Sequence, residues 1–350
     1  MVPDHRLIHP PHPVHPAQPS QAADTDTRID RRRSLAWMGA LAAPLALHHP
    51  AARAQNFPNG PLTLVVPFGG GSPPDVFSRM FGEKLGKRLG QSVIVELRPG
   101  ASTTIGTAYA ARAKPDGHTL VYATNSSLTA APGLFKKLQY DPAKDFSAIT
   151  VMLESYFCIL VRAEDANLSL EALAQRIRKD PTGNAMGGGS TTAEVSNKMF
   201  QNAAGLDHAY ARYNSNRLYT DLLGGSLNAV WSPMSTAMAM LKQGKVHVVA
   251  VTGPKRLSQL PQTPTLSEVY PGVVVDSWSG IFVPSATPRP LVEQLYQHVS
   301  VVLKDPEIVA RGQNDGNQPL SLTPEQSDAY VQKDFARWRS LLQRAGIEPA

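Results

Sequence analysis

Four short segments rich in Gly, Ser and Thr are the part of this 350-residue sequence best suited to bind a ligand. They are residues 69–75, 100–104, 125–128 and 188–192. Glycine leaves backbone N–H groups open to a ligand, and serine and threonine add hydroxyl donors. Where such a segment begins a helix, the free N–H groups and the positive end of the helix dipole favour an anion. The sequence therefore predicts an anion site, provided that the fold brings these segments together.

The elements around the first three segments predict a parallel α/β fold. A β-rich run at residues 62–66 precedes the first segment, and apolar residues then recur every four positions from Phe77 to Leu89, which is typical of a helix. Further β-rich runs follow at residues 93–95 and 119–123. Alternating strands and helices with short links predict a parallel sheet, and ligands of such sheets bind beyond the carboxyl ends of the strands.

The same alternation returns in the second half of the chain and indicates a second α/β lobe. Strands are predicted near residues 158–161, 184–187, 227–231, 246–252 and 277–283. Ser169 has the position of a helix N-cap. Two helices are expected after the last strand, and the final one begins with the capping box at Thr323.

The motifs of common enzyme classes are missing from the sequence. The glycine-rich segments lack the Gly-Lys-Ser/Thr ending of a P-loop, and neither a G-x-S-x-G elbow nor an H-E-x-x-H pair occurs. Six of the ten histidines lie within residues 1–54, and the other four have no ligand spacing. The single cysteine, Cys158, lies in an apolar run, as a buried small hydrophobe does. We therefore expect no catalytic residue, no metal and no cofactor.

The first 54 residues are interpreted as a leader that is removed. Residues 1–30 are rich in proline and histidine and are predicted to be disordered, although a His-rich metal-binding tract is the alternative. Residues 31–54 combine three arginines, a short apolar run and the Ala52-Arg53-Ala54 pattern of a signal peptide cleaved after Ala54. The arginines fit a twin-arginine signal only in part, so the export route stays open.

Charge does not favour nucleic acid as a partner. The formal net charge is +6, and cleavage after Ala54 would leave +4. The basic residues of the remaining chain form no stripe interleaved with aromatic residues, which nucleic-acid binding requires. The predicted signal peptide places the mature chain outside the cytoplasm, and we expect it to be a monomer.

The motifs and their order resemble the Bug or TctC family, the substrate-binding receptors of tripartite tricarboxylate transporters. The resemblance covers nearly all of residues 57–350. It is carried by residues 61–68 with the glycines that follow and Asp75, 98–101 with 105–106, 114–120, 134–138 with 140–142, 144–146, 221–225, 249–252, 260–265 and 278–284. It implies a type II periplasmic binding protein, in which two α/β lobes joined by crossover strands enclose a ligand cleft. The crossovers are expected near residues 154–158 and 273–279.

The resemblance also implies domain boundaries and partners. Lobe 1 would comprise residues 55–156 plus 276–350, and lobe 2 residues 157–275. The ligand would be a small carboxylate delivered to membrane permease subunits. Two alternatives stay open: a receptor that signals to a membrane sensor kinase, and an exported α/β enzyme that uses the same cleft.

The candidate substrate-binding residues combine the glycine-rich segments with positions matched to the family. They are Gly70, Gly71, Ser72, Ala101, Ser102, Thr103, Thr104, Ser126, Ser127, Ser190, Thr191, Thr192, Glu194, Tyr213, Asn214 and Ser232. Ser232 stands where the family has an aspartate that can hold an amino group, which argues against an α-amino acid. Glu194 near the mouth would repel a dianion.

Overall fold

The computed structural model describes residues 57–213 and 215–349. The predicted disordered leader, the signal peptide, its cleavage after Ala54 and the candidate residue Asn214 therefore lie outside the described residues. Within these residues, no helix is both long and apolar enough to cross a membrane.

Strands and helices alternate along most of the described chain. The strands are β1 (Leu62–Val66), β2 (Val93–Leu97), β3 (Thr119–Thr124), β4 (Phe146–Arg162), β5 (Met186–Gly188), β6 (Tyr210–Arg212), β7 (Ala229–Pro233), β8 (Val246–Val251), β9 (Asp276–Pro284) and β10 (Gln318–Pro319). The helices are α1 (Pro73–Leu89), α2 (Thr104–Ala111), α3 (Leu170–Lys179), α4 (Thr191–Ala204), α5 (Arg217–Leu223), α6 (Met234–Leu241), α7 (Leu266–Val269), α8 (Arg289–Leu303), α9 (Pro306–Asn314) and α10 (Pro324–Ala345).

The first lobe is built on a mixed sheet in the order β2-β1-β3-β9-β4, with β10 pairing on β4. Strand β1 runs parallel to β2 and β3, whereas β9 is antiparallel to both β3 and β4. One face of the sheet packs on α1, where Phe77, Phe81 and Leu85 are buried. The opposite face is covered by α2 and by part of α10. Because β1 and β3 are parallel, their carboxyl ends lie at the same edge of the sheet.

The long strand β4 connects the two lobes. Its residues up to Tyr156 pair with β9, and from Phe157 onward it pairs with β7 and β8 instead. In the second lobe β5 lies parallel to β6 and β7. The chain thus has the fold of a type II periplasmic binding protein, with two α/β lobes and a cleft between them. The lobe boundaries at residues 157 and 276 stay a prediction.

The C-terminal region differs from expectation, because three helices follow β9 rather than two. Helix α8 ends at Leu303, and α9 starts at Pro306 with the side chain of Asp305 accepting a hydrogen bond from the Glu307 N–H. Pro306 has no N–H to bond to the carbonyl one turn earlier, and its ring would clash with that carbonyl. The chain from Arg289 to Asn314 is therefore divided into two helices. The capping box at Thr323 is present at the start of α10, as predicted. Trp338, near the end of α10, is fully buried in a cluster with residues of the second lobe.

Candidate functional site

A cavity of about 560 Å³ lies at the carboxyl ends of the parallel strands of both lobes. Gly69 and Gly70 reach it from the loop after β1, and Ser126 from the loop after β3. The second lobe contributes Gly189 and Ser190 after β5. Residues that are distant in sequence thus line a single cavity, at the place where α/β sheets bind ligands.

The N-terminus of α4 supplies hydrogen-bond donors to this cavity. Ser190 caps the helix, and its hydroxyl accepts the Ala193 N–H at 3.2 Å. Among the described residues, no partner bonds to the backbone N–H groups of Thr191 and Thr192. Thr192 lines the cavity, and its hydroxyl accepts a 3.2 Å hydrogen bond from the Asn125 amide on the first lobe. Free N–H groups at the positive end of a 14-residue helix suit an anion.

The N-terminus of α1 also faces the cavity but has few free donors. Pro73 and Pro74 open the helix, and proline has no N–H. The Asp75 N–H is bound by the Ser72 hydroxyl, and the Gly71 N–H donates to the buried Asp75 carboxylate at 2.8 Å. Ser72 is thus the N-cap, while Asp75 engages its own loop and Arg79. The N-terminus of α4 therefore offers free N–H donors, whereas that of α1 offers few.

Aromatic side chains form much of the remaining cavity wall. Trp231 and Trp278 are fully buried, and each indole N–H donates to a buried side chain: Trp231 to Asn197 at 2.9 Å and Trp278 to Asp334 at 2.6 Å. The Asn197 carbonyl oxygen also interacts with His208 Nε2 at 2.9 Å. Burial lowers the pKa of His208 to about 4, so its imidazole stays neutral at pH 7. These bonds fix the orientation of the two tryptophans.

The charge of the cavity wall is unusual for an anion site. Among the described residues that line it there is no Lys, Arg or His, and Asp315 is the charged one. Cys158 lies outside the cavity, fully buried in β4, and burial raises the pKa of its thiol. The wall formed by the described residues therefore lacks a nucleophile paired with a base, the arrangement that covalent catalysis requires.

Five of the candidate residues line the cavity, namely Gly70, Ser72, Ser126, Ser190 and Thr192. Their neighbours Gly71, Ser127 and Thr191 do not line it. The Ser127 hydroxyl is buried and bonds to the Thr124 backbone, which closes the turn after β3.

The segment after β2 lies outside the cavity wall. Ala101, Ser102 and Thr103 have positive φ values of 42°, 50° and 79°, and Thr104 begins α2. Their hydroxyls bond locally: Thr103 to the Ser102 carbonyl and Thr104 to that of Ala101. The segment thus forms a tight turn into α2, and Gly106 of that helix packs closely against Pro67 and Arg98.

The other second-lobe candidates that the structure describes bond to other protein groups. Glu194 forms an ion pair with Arg212 away from the cavity wall, which reduces the repulsion expected for a dianion. Tyr213 donates its hydroxyl to Asp221 at 2.7 Å. Ser232 is fully buried beneath Tyr219, with their hydroxyl oxygens 3.0 Å apart, and Tyr219 is the residue that reaches the cavity.

Sequence reasoning did not identify several polar residues of the wall. Thr124 and Ser279 are paired across β3 and β9, and neither hydroxyl has a hydrogen-bond partner among the described residues. Asp315 and Asn317 lie in the turn between α9 and β10. Thr124 immediately precedes a predicted loop and could have been included. Asp315 carries no local signal, because only the pairing of β10 with β4 brings its turn to the cavity.

Comparison with known proteins identifies the family. Residues 77–347 match the tripartite tricarboxylate transporter family receptor, TctC. This chain belongs to that family. A curated relative, a UPF0065 protein of Bordetella bronchiseptica, is 33% identical over 306 residues, which cover 87% of this chain and 91% of the relative.

Solved structures share the fold of this TctC-family chain. The periplasmic binding protein BugD is 29% identical with a TM-score of 0.77, and the similarity covers 84% of this chain and 100% of BugD. An R. palustris protein solved with adipate is 26% identical with a TM-score of 0.79 and the same two coverages. The family and these neighbours are binding proteins, in agreement with the expected class.

Proposed function

We propose that this chain is an extracytoplasmic receptor that binds a small carboxylate between its two lobes. It delivers that ligand to the permease subunits of a tripartite tricarboxylate-type transporter. The TctC family supports the transporter as partner, and the adipate in a structural neighbour supports the ligand class.

The free N-terminus of α4 is the observation that carries the proposal. The Thr191 and Thr192 N–H groups lack partners among the described residues, and Gly189, Ser190 and Thr192 of this segment line the cavity. A carboxylate placed there would accept charge-assisted hydrogen bonds and gain from the helix dipole. Binding of this kind needs no cationic side chain, which agrees with the absence of Lys, Arg and His from the described wall.

The second lobe is the main anchor for the carboxylate in this proposal. Pro73 and Pro74 remove the two N–H groups that the start of α1 would otherwise offer. Gly70 and Ser126 then complete the site from the first lobe, whereas the Ser72 hydroxyl lines the cavity but already donates to the Gly69 carbonyl oxygen. A ligand that touches both lobes would shift the population toward the closed conformation.

Export and a monomeric state are further parts of the proposal. The signal peptide at residues 31–54 would direct the chain to the periplasm and be removed after Ala54. The mature receptor is proposed to act as a monomer, with lobes at residues 55–156 plus 276–350 and 157–275.

A ligand screen tests the function directly. Purified protein is examined by thermal shift and isothermal titration calorimetry against mono-, di- and tricarboxylates, aromatic acids and amino acids. Mass spectrometry of the native, unrefolded protein identifies any ligand that it retains. Stabilisation by one class of carboxylate is expected, since a ligand that binds the folded state raises the melting temperature. No stabilisation by any acid and no retained acid would refute the proposal.

A matched pair of variants at Thr192 tests the location of the site. Thr192→Val removes the hydroxyl at the cavity and leaves the Asn125 amide without its partner, whereas Thr192→Ser retains the hydroxyl. A lost hydrogen bond of about 0.5–1.5 kcal/mol corresponds to roughly 2- to 12-fold weaker binding. Equal affinity of both variants and the wild type would remove the Thr192 hydroxyl and its hydrogen bond to Asn125 from the proposed site.

A further inference from the structure

One end of the cavity has a chemistry opposite to that of the α4 N-terminus. Asp315 lines the wall, and its side chain is 14% exposed. Its Oδ2 atom accepts a 2.7 Å hydrogen bond from Arg311 Nε. Within the described residues no hydrogen bond reaches the other carboxylate oxygen, Oδ1. Arg311 is not part of the cavity wall, so an incoming ligand meets the carboxylate rather than the guanidinium.

The two ends of the cavity lie on different strands of the first-lobe sheet. Asn125, which bonds to Thr192 on α4, follows β3, while Asn317 immediately precedes β10. The sheet order β3-β9-β4-β10 separates these positions by three strand spacings, or about 14 Å between backbones. A ligand anchored at α4 can therefore extend across the sheet toward Asp315.

The wall between the two ends offers further polar groups. Thr124 and Ser279 are 8% and 3% exposed, and their hydroxyls have no partner among the described residues. The Ser155 hydroxyl donates to the side-chain oxygen Oδ1 of Asn317 at 2.9 Å, which leaves the Asn317 side-chain NH₂ group as a donor beside Asp315. Unsatisfied buried hydroxyls are costly, so a ligand that bonds to them gains affinity.

We propose that Asp315, backed by Arg311, is an acceptor subsite that selects a monocarboxylate whose far end carries a hydrogen-bond donor. This inference rests on the proposed function and makes the ligand class specific. A hydroxyl or ammonium group at the far end donates to Asp315 Oδ1. A second carboxylate at the same place would be repelled by the Asp315 carboxylate, whose Oδ1 atom carries no proton to donate, in a partly buried site where this repulsion is poorly screened. The receptor therefore discriminates against diacids of matching length.

Calorimetry at pH 7.5 with ligands of equal length tests the subsite. One set is 6-hydroxyhexanoate, 6-aminohexanoate and adipate, and the other is 4-(hydroxymethyl)benzoate and terephthalate. In at least one set we expect the donor-bearing acid to bind about tenfold or more tightly than the diacid, because it does not place a second carboxylate beside that of Asp315. Asp315→Asn should reduce that ratio at least about fivefold, since the amide offers a donor and no charge.

Asp180→Asn is the matched control, because Asp180 also ends a helix, α3, but lies outside the cavity. It should leave the ratio unchanged, and Asp315→Ser provides a second variant if Asp315→Asn fails to fold. A wild type that binds the diacid as tightly as its donor-bearing partner in both sets overturns the subsite, and so does a ratio unaffected by Asp315→Asn. In those cases carboxylate binding itself persists, so the proposed function stands. Failure of every acid to bind rejects the proposed function as well.

Discussion

The protonation of His208 should make the stability of this protein fall on acidification. His208 is 5% exposed, and its Nε2 lies 2.9 Å from the Asn197 oxygen that also orients the cavity residue Trp231. Burial lowers its pKa from 6.5 to about 4. Between these pH values the unfolded chain binds a proton that the folded chain excludes. The contribution of His208 is therefore complete above pH 6.5 and is lost as the pH falls toward 4.

The magnitude follows from this shift. At pH 4.5 the unfolded histidine is almost fully protonated and the folded one is mostly neutral, which corresponds to about 2–3 kcal/mol at 1.36 kcal/mol per pKa unit. Other groups titrate in the same range. Burial raises the pKa of Asp276 to about 6, which acts in the opposite direction, and burial also lowers the pKa values of His247 and His298. A comparison of two proteins that differ only at His208 cancels these contributions.

The assay is urea unfolding of the wild type and His208→Gln at half-unit steps from pH 7.5 to 4.5. Glutamine retains an uncharged donor for Asn197 but has no proton to gain. The wild type should be the more stable protein at pH 7.5, and the gap should shrink by about 2–3 kcal/mol at pH 4.5. Two curves that run parallel across this range would refute the burial argument. If the ligand affinity of the wild type falls over the same pH range as this difference in stability, His208 also affects the orientation of Trp231.

Two further predictions concern packing and reactivity around the cleft. A Cβ atom on Gly188 would lie 2.4 Å from the Tyr210 hydroxyl and 2.7 Å from Ala193 Cβ, so Gly188→Ala should destabilise the protein by about 1–3 kcal/mol in urea unfolding. Gly189→Ala is its control, because that Cβ meets its nearest atom at 3.5 Å, and equal losses in both variants would contradict the packing argument. Cys158 is fully buried, and burial raises the pKa of its thiol. Ellman's reagent should therefore react with Cys158 only as fast as the protein unfolds, because the reagent needs an accessible thiolate. Rapid labelling of the folded protein would be inconsistent with this burial.

Local patterns in the sequence were sufficient to predict most of the fold. The apolar period from Phe77 to Leu89 corresponds to α1, and the predicted caps Ser169 and Thr323 begin α3 and α10. Such features depend on neighbours within four residues, so they can be recognised before the fold is known. The division between α8 and α9 was missed, although Asp305 and Pro306 carry the signal of a helix start.

The composition of the cleft depended more strongly on tertiary structure. Of the four Gly/Ser/Thr-rich segments, the one at residues 100–104 turns into α2 without reaching the cavity. Residues 69–75 do reach it, but the hydrogen bonds of Asp75 and the two prolines leave few donors there. Whether a loop donates to a ligand depends on which of its N–H groups are already bound, and spacing alone does not determine this.

By itself, the sequence predicted the alternation of strands and helices and the N-caps of α3 and α10, because these follow from short-range periodicity and capping. The resemblance to the family, carried by motifs in a fixed order, indicated the class of protein. The tertiary structure decided which of those N-termini meet at the cavity and what charge lies opposite them. Asp315 demonstrates the reason: it is more than 120 residues from Thr192, and the pairing of β10 with β4 places its turn at the cavity wall. Strand pairing over such separations sets the electrostatics of the ligand site.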